Sequence, residues 1–174
     1  MAELPDGITL ADNRDLRGRS RRPWYRRVLL LGVLALPVLA LLNVFGQKPT
    51  STSAAGPAAS LSVTAPARLR SGLIFQVRVE VVAHRDIHAP ELVFDRGWFE
   101  SMSVNSIQPE ASSESSQNGD VALSYDKLDA GQKLVVWFYF QVNPTNVGKR
   151  RENVELTDGS TPLVHLHRSL TIFP

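Results

Sequence analysis

The sequence predicts an all-β fold: an antiparallel β-sandwich of seven to eight strands, preceded by one transmembrane α-helix. Residues 28–45 form a charge-free apolar run, which predicts the helix. Beyond residue 60, short segments with a hydrophobic period of two are separated by turn residues, and no useful helical periodicity appears. A chain of 174 residues has room for one such domain beside the membrane segment.

The apolar run has the length and flanks of a membrane anchor. At about 1.5 Å per residue it extends roughly 27 Å, close to the bilayer hydrocarbon thickness of about 30 Å. Seven arginines precede it and only Lys48 follows closely, so the positive-inside rule places the N-terminus in the cytoplasm and the later domain outside. The residues expected at the membrane interface are Arg21, Arg22, Trp24, Tyr25, Arg26 and Arg27.

Two other interpretations of this segment remain open. A cleaved signal peptide would have a shorter apolar core and a better cleavage context than residues 43–47, although Ser53-Ala54-Ala55 is permissive. A twin-arginine export signal would explain Arg21 and Arg22, but Pro23 falls inside that motif. We favour the retained anchor, and all three interpretations place residues beyond about 50 outside the cytoplasm.

The composition divides the chain into four predicted segments. Residues 1–27 form a disordered basic cytoplasmic tail, and residues 28–45 form the transmembrane helix. Residues 46–59 are small, polar and proline-containing, which predicts a flexible linker. Residues 60–174 form the extracytoplasmic β-sandwich domain.

Charge and cysteine content exclude several classes of function. The formal net charge is +2, but seven arginines and four acidic residues precede Val28, so the remainder carries −1. That distribution predicts no nucleic-acid partner, because such a partner requires positive charge on the folded surface. Zero cysteines exclude disulfides, thiolate metal sites and a cysteine nucleophile, and a cysteine-free exported domain favours a bacterial cell envelope.

Three stretches carry a resemblance to a known class of domain. They are Arg70-Ser-Gly-Leu-Ile-Phe-Gln-Val-Arg-Val-Glu-Val81, Leu128-Asp-Ala-Gly-Gln-Lys-Leu-Val-Val136 and Leu170-Thr-Ile-Phe-Pro174. Their order of strands and turns over residues 60–174 resembles bacterial immunoglobulin-like or fibronectin-like envelope domains carried by single-pass membrane proteins. The resemblance implies an immunoglobulin-like sandwich with a binding or spacing role, although a fold alone does not establish function.

The histidines are the candidate metal ligands. His165 and His167 are two apart on a predicted strand and would project from one face, with His84 or His88 as a third ligand. The interpretation we favour is that they face solvent, because no carboxylate cluster accompanies them. We therefore predict no metal, no other cofactor and no evident small-molecule substrate.

No catalytic set is recognisable either. Carboxylate pairs such as Asp95 and Glu100 lie in predicted turns, where acids cap and solubilise. The sequence contains no nucleophile elbow and no glycine-rich phosphate loop. We expect that the protein is not an enzyme.

Aromatic and basic residues supply the candidate interaction sites. In Trp137-Phe138-Tyr139-Phe140 adjacent side chains face opposite ways, so one pair fills the core. The other pair packs under a loop or forms an exposed patch within reach of Trp98 and Phe99. The partner-binding candidates are Trp98, Phe99, Trp137 and Tyr139.

A basic triplet, Lys149-Arg150-Arg151, has three interpretations. It could contact anionic headgroups or cell-wall polymers, it could be a solvated turn, or it could protect an edge strand against aggregation.

These observations predict a membrane-anchored extracytoplasmic binding or scaffold protein. It would be located in the cell membrane, contact lipid through residues 28–45 and serve as an accessory subunit or partner of another membrane or envelope protein. The alternative is a metal-binding or hydrolytic envelope domain that uses surface histidines and acids. A ligand sensor that signals through the helix is a third possibility, although the short tail has no recognisable output domain.

Overall fold

The computed structural model describes residues 22–42 and 47–174, and the chain divides into two compact units, residues 1–44 and 45–174. The described residues contain a 20-residue helix, α1 (Arg22–Leu41), a short 3₁₀ helix (Arg96–Trp98) and thirteen strands. The strands are β1 (Pro49–Ala55), β2 (Ala59–Pro66), β3 (Arg68–Arg70), β4 (Ile74–Ala83), β5 (Pro90–Phe94), β6 (Met102–Gln108), β7 (Ser113–Gln117), β8 (Asp120–Ser124), β9 (Lys133–Val142), β10 (Gly148–Arg151), β11 (Val154–Asp158), β12 (Thr161–Leu166) and β13 (Ser169–Phe173).

Helix α1 is long and apolar enough to cross a membrane. Its window Trp24–Leu41 has a mean hydropathy of 1.6 over 18 residues. Helix α1 begins at Arg22, six residues before the predicted membrane-spanning segment, because the arginines and aromatics before the apolar run are also compatible with a helix. The start of the membrane-spanning segment at residue 28 stays a prediction. The predicted end at residue 45 and Arg21 lie outside the described residues. Arg22, Trp24, Tyr25, Arg26 and Arg27 all lie in the first turns of α1, and their interfacial role stays a prediction.

The strands form a β-sandwich. One five-stranded sheet has the order β1-β2-β4-β9-β6, and a second has the order β12-β11-β5-β8-β7. Phe94 of the second sheet meets Phe138 of the first, with ring centroids 5.0 Å apart, inside one continuous apolar core. A third sheet, β10-β13-β3, contains the parallel pair β13 and β3, whereas the other strand pairs are antiparallel. The predicted fold class is confirmed.

The predicted count of seven to eight strands is too low. The strands that were missed include β3, β7 and β10, which are short and polar and therefore show no apolar alternation. The predicted strand that carries His165 and His167 corresponds to β12, which ends at Leu166, and β13 follows it in a different sheet. Backbone pairing, which sequence hydropathy does not report, stabilises these segments.

The predicted flexible linker over residues 46–59 is wrong for most of its length. Strand β1 occupies Pro49–Ala55 and pairs with β2 in continuous register from Pro49↔Pro66 to Ala55↔Ser60. Small polar side chains suffice here because the backbone hydrogen bonds of an edge strand need no apolar neighbours, and Ala54 packs against the core. The sandwich domain therefore begins near residue 49 and not at residue 60.

A close backbone approach fixes the 3₁₀ helix against the end of β10. A Cβ placed on Gly97 would lie 1.9 Å from the carbonyl oxygen of Arg151, so one of the two segments would have to move. We expect Gly97→Ala to lower the free energy of unfolding by about 2–3 kcal/mol, as measured by urea denaturation. Gly131→Ala is the control, because no atom lies within 4 Å and only its positive φ of 86° opposes alanine. Equal losses in the two variants would contradict the close-approach explanation.

Candidate functional site

The outer face of the first sheet brings aromatic, polar and apolar side chains together on its two central long strands. The antiparallel register of β4 and β9 pairs Arg78 with Trp137, Gln76 with Tyr139 and Ile74 with Gln141. Paired residues share a face, and the alternate residues of both strands, such as Phe138, are buried in the core. We call Ile74, Gln76, Arg78, Trp137 and Tyr139 the outer-face cluster.

Specific contacts hold this cluster in place. The amide Nε2 of Gln76 donates a hydrogen bond to the hydroxyl oxygen of Tyr139 at 2.7 Å. The guanidinium carbon of Arg78 lies 5.5 Å from the centre of a Trp137 ring, within the range of a cation–π contact. Ile74 and Tyr139 are nevertheless 57% and 37% exposed, so apolar surface remains open to solvent beside the ordered polar groups.

The acidic residue Glu80 lies beside the two cations Arg78 and Lys133 on this face. Glu80 accepts hydrogen bonds from Lys133 and from Arg78. The hydrogen bond from Lys133, followed by the charge of Arg78, holds the pKa of the Glu80 carboxyl below its usual value. Arg78 is thus restrained by an anion on one side and an aromatic ring on the other, which reduces the entropy it would lose on binding a partner.

The structure separates the four aromatic candidates into two pairs. Trp137 is half-buried and Tyr139 exposed on the outer face, as one of the two alternatives for that pair requires. The expectation that Trp98 and Phe99 join them is wrong. Trp98 is fully buried and Phe99 packs against the core, with their rings 6.0 and 5.9 Å from that of Phe140. The 3₁₀ helix turns both side chains inward, and sequence spacing does not show that turn.

The histidines do not assemble into one group. The Nδ1 of His165 and the Nε2 of His167 lie 3.2 Å apart on the exposed surface. His88 is instead beside Asp158, and the backbone of His84 bonds to Ala58. Among residues 22–42 and 47–174, no group of three or more histidine, cysteine or acidic residues could hold a metal ion. The idea of His84 or His88 as a third ligand is therefore wrong.

The surface acids that the hydrolytic alternative would use have structural partners. Asp95 accepts a hydrogen bond from the Asn153 amide at 2.7 Å, and Glu100 forms an ion pair with Arg150 at 3.2 Å. Asp158 accepts hydrogen bonds from the backbone of His88 and Ala89. These contacts cap turns and connect loops, the roles that the sequence assigned to acids in turns.

Sequence reasoning missed a buried ion pair. The Nη1 atom of Arg168 donates to Oε2 of Glu152 at 2.8 Å, and the two side chains are 3% and 0% exposed. Arg168 also donates to the carbonyl oxygens of Ala65 and Pro66 and lies 5.6 Å from a Trp98 ring centre. Burial raises the pKa of Glu152 to about 7, with Arg168 acting in the opposite direction. Both residues stand among other polar residues in the sequence, which gives no signal of burial.

Comparisons with known proteins give remote structural similarity. No protein-family model and no curated protein matches the chain. The chain is similar to CaCohA2 from Clostridium acetobutylicum at 12% identity and a TM-score of 0.43, covering 61% of this chain and 85% of the other. It is also similar to a non-cellulosomal cohesin from the archaeon Archaeoglobus fulgidus at 12% identity and a TM-score of 0.41, covering 72% and 92%. Because both TM-scores are low, these similarities carry no argument about function, and the function is inferred from the residues of this chain alone.

Proposed function

We propose that this protein is a single-pass membrane protein of a bacterial envelope whose extracytoplasmic sandwich binds another membrane or envelope protein. It acts as an accessory subunit or scaffold. The length and hydropathy of α1 support the anchor, and the arginines before it support a cytoplasmic N-terminus. The absence of a recognisable catalytic motif in the sequence directs attention to binding surfaces.

The outer-face cluster is the observation that carries this proposal. Tryptophan, tyrosine and arginine are the residue types that contribute most binding energy at protein interfaces, and here one of each lies on a single sheet face. The partner would cover the exposed part of Ile74 and Tyr139 and exclude water from the Arg78–Trp137 contact, where a cation–π interaction strengthens on desolvation. Its complementary surface would offer apolar side chains with an acceptor for the Arg78 guanidinium.

The position of the cluster also suits recognition. β4 and β9 are ten-residue central strands with a core-facing side chain at every second position. Their backbone is therefore fixed before a partner arrives, and little order has to be created on binding. The antiparallel pairing keeps the spacing between the side chains of the cluster constant.

Site-specific crosslinking in cells tests this proposal. A photoreactive amino acid at Gln141, which is exposed beside Ile74, should give one adduct of defined mass from the intact chain. Trp137→Ala and Tyr139→Ala should each reduce the adduct yield at least tenfold, because removal of an interface hot spot costs about 2 kcal/mol or more.

The matched control carries the photoreactive group at Ser115 on the exposed edge strand β7. Ser115 should give no adduct of the same mass. An adduct at Gln141 whose yield is unchanged by Trp137→Ala and Tyr139→Ala would show that the outer-face cluster is not the binding surface.

A further inference from the structure

The small sheet β10-β13-β3 presents a basic outer face. Its register pairs Lys149 with Thr171 and Thr171 with Arg68, and it pairs Phe173 with Arg70. Arg151 follows on the same side of β10, because alternate residues of a strand share a face. We call Arg68, Arg70, Lys149 and Arg151, which are all exposed, the basic face.

Within the described residues, none of these four side chains forms a salt bridge to an acid. Strand β13, which lies between β10 and β3, contributes Ser169 and Thr171 to the basic face. None of the three strands contains an acidic residue. This concentration of charge is notable because residues 28–174 together carry a formal charge of −1.

The acids adjoining these strands are engaged elsewhere. Glu100 pairs with Arg150, and Glu152 is buried with Arg168. Asp95 accepts from the Asn153 side chain, and Asp120 accepts from the backbone of Arg96. Three of these acids, all but the buried Glu152, line one surface depression with Lys149 and Arg151 but are held by the partners just named. Arg70 donates from Nε to the backbone oxygen of Pro174 at 3.3 Å, and the other three cations of the basic face remain available to an external anion.

Exposed apolar side chains adjoin this face at one end of the domain. Leu73, Val147 and Phe173 are 41%, 50% and 36% exposed. The backbone N–H of Ser71 donates to the carbonyl oxygen of Phe173 at 2.8 Å, which joins the loop before Leu73 to the end of β13. Val147 directly precedes Gly148, which pairs with Ile172 next to Phe173. We call Leu73, Val147 and Phe173 the apolar rim.

The chain enters the sandwich beside the apolar rim. The side-chain amide of Gln47 donates to the carbonyl oxygen of Ile74 at 3.2 Å, immediately after Leu73. β1 begins two residues later at Pro49, and only residues 42–48 separate it from the last residue of α1. The chain that follows α1 therefore enters the sandwich at this end.

We propose that the basic face and the apolar rim bind the anionic lipid surface of the bilayer that α1 spans. This inference rests on the membrane anchoring in the proposed function, and it assigns a lipid-contacting surface distinct from the outer-face cluster. The four cations would attract anionic headgroups, while the rim would enter the headgroup region in the manner of interfacial proteins. Cations without acidic partners, apolar side chains beside them and the attachment of this end to the helix favour lipid over a protein partner.

The absence of cysteine in the sequence allows a direct test with the full chain. Thr171→Cys, between Lys149 and Arg68, would carry an environment-sensitive fluorophore in nanodiscs that contain a nitroxide-labelled lipid. The control label is at Ala130→Cys, in a turn whose Gly131 bonds to Ala83 at the opposite end of β4. We expect quenching at position 171 and none at position 130 in phosphatidylcholine nanodiscs containing phosphatidylglycerol. Quenching should diminish in phosphatidylcholine alone and at high salt.

Charge variants make the test quantitative. Arg68→Gln with Arg70→Gln should reduce the equilibrium constant for lipid contact roughly 25-fold, because each near-surface charge contributes about fivefold. The matched pair Arg85→Gln and Lys127→Gln, near the opposite end, should leave it unchanged. All four substituted side chains are exposed, so circular dichroism should show unaltered folding in both variants.

Three outcomes would overturn the inference. One is an unquenched label at position 171 in phosphatidylglycerol nanodiscs, and another is equal quenching of both labels. The third is a label shielded to the same extent in lipid-free detergent as protein concentration rises, which would assign the face to a second copy of the chain. Crosslinking at Gln141 is measured on the same variants, so failure of lipid contact is distinguished from failure of partner binding.

Discussion

Replacement of Arg168 by methionine should lower the free energy of unfolding of the sandwich by about 3–5 kcal/mol at neutral pH. The guanidinium is the cation paired with the fully buried Glu152, whose other oxygen, Oε1, has no hydrogen-bond partner among the described residues. Methionine would fill much of the volume but leave a buried carboxylate without a counter-ion. It would also remove the donor to the carbonyl oxygen of Ala65 at 2.9 Å.

The loss of unfolding free energy in Arg168→Met should depend on pH through the titration of the Glu152 carboxyl. Burial raises its folded-state pKa to about 7 from 4.5, so the folded state binds this proton more tightly than the unfolded state does. The stability contributed by that proton is present below about pH 4.5 and is lost as the pH rises towards 7. Removal of the Arg168 cation raises the Glu152 pKa further, and Arg168→Met should therefore regain stability steeply between about pH 8 and pH 5.

Urea unfolding at several pH values, followed by circular dichroism, measures this effect. Combining Glu152→Gln with Arg168→Met removes the carboxylate, so it should recover part of the loss and flatten the pH dependence relative to Arg168→Met alone. If the difference in unfolding free energy between the parent chain and Arg168→Met did not grow as the pH rises above about 7, the unpaired carboxylate would not be the cause.

Trp98→Ala should cost about 3–5 kcal/mol of unfolding free energy, whereas Trp137→Ala should cost less than about 2 kcal/mol. Trp98 is fully buried, lies 5.8 Å from the Phe94 ring and donates from Nε1 to the carbonyl oxygen of Asn153 at 3.0 Å. Its truncation creates a cavity and leaves that carbonyl without its donor. Trp137 has solvent on its outer side, so its truncation leaves no enclosed cavity.

The same two variants separate stability from binding. Under conditions in which both remain folded, Trp137→Ala should lose the crosslinked adduct from Gln141, and Trp98→Ala should retain it. Thermal and urea unfolding of each variant are measured beside the crosslinking yield. If Trp98→Ala remained folded but gave no adduct, Trp98 would contribute to the binding surface, contrary to its buried position in the structure.

The alternation of apolar residues predicted the core strands because half-burial imposes a period of two on the side chains. Val77 and Val79 of β4 and Phe138 and Phe140 of β9 are all buried as that pattern requires. The same rule could not find β1 or β7, whose side chains are mostly polar and exposed and whose pairing involves backbone groups that every residue carries. For this reason the predicted linker extended eleven residues, 49–59, into a folded domain.

The candidate site divides in the same manner. Sequence alternation placed Trp137 and Tyr139 on one face, but the pairing of β4 with β9 decides that Arg78 and Gln76 are their neighbours. The 3₁₀ helix decides that Trp98 points into the core, and long-range packing brings Arg168 to Glu152, 16 residues earlier in the chain.

Local sequence alone determined the all-β class, the apolar N-terminal segment and the position of the strands with a buried face, because each is a periodicity or composition within one segment. Strand partners, sheet edges, the basic face of the third sheet and the buried ion pair were decided only by the tertiary structure. Those features depend on which distant segments share hydrogen bonds and which side chains lose water, and neither is encoded in a local pattern.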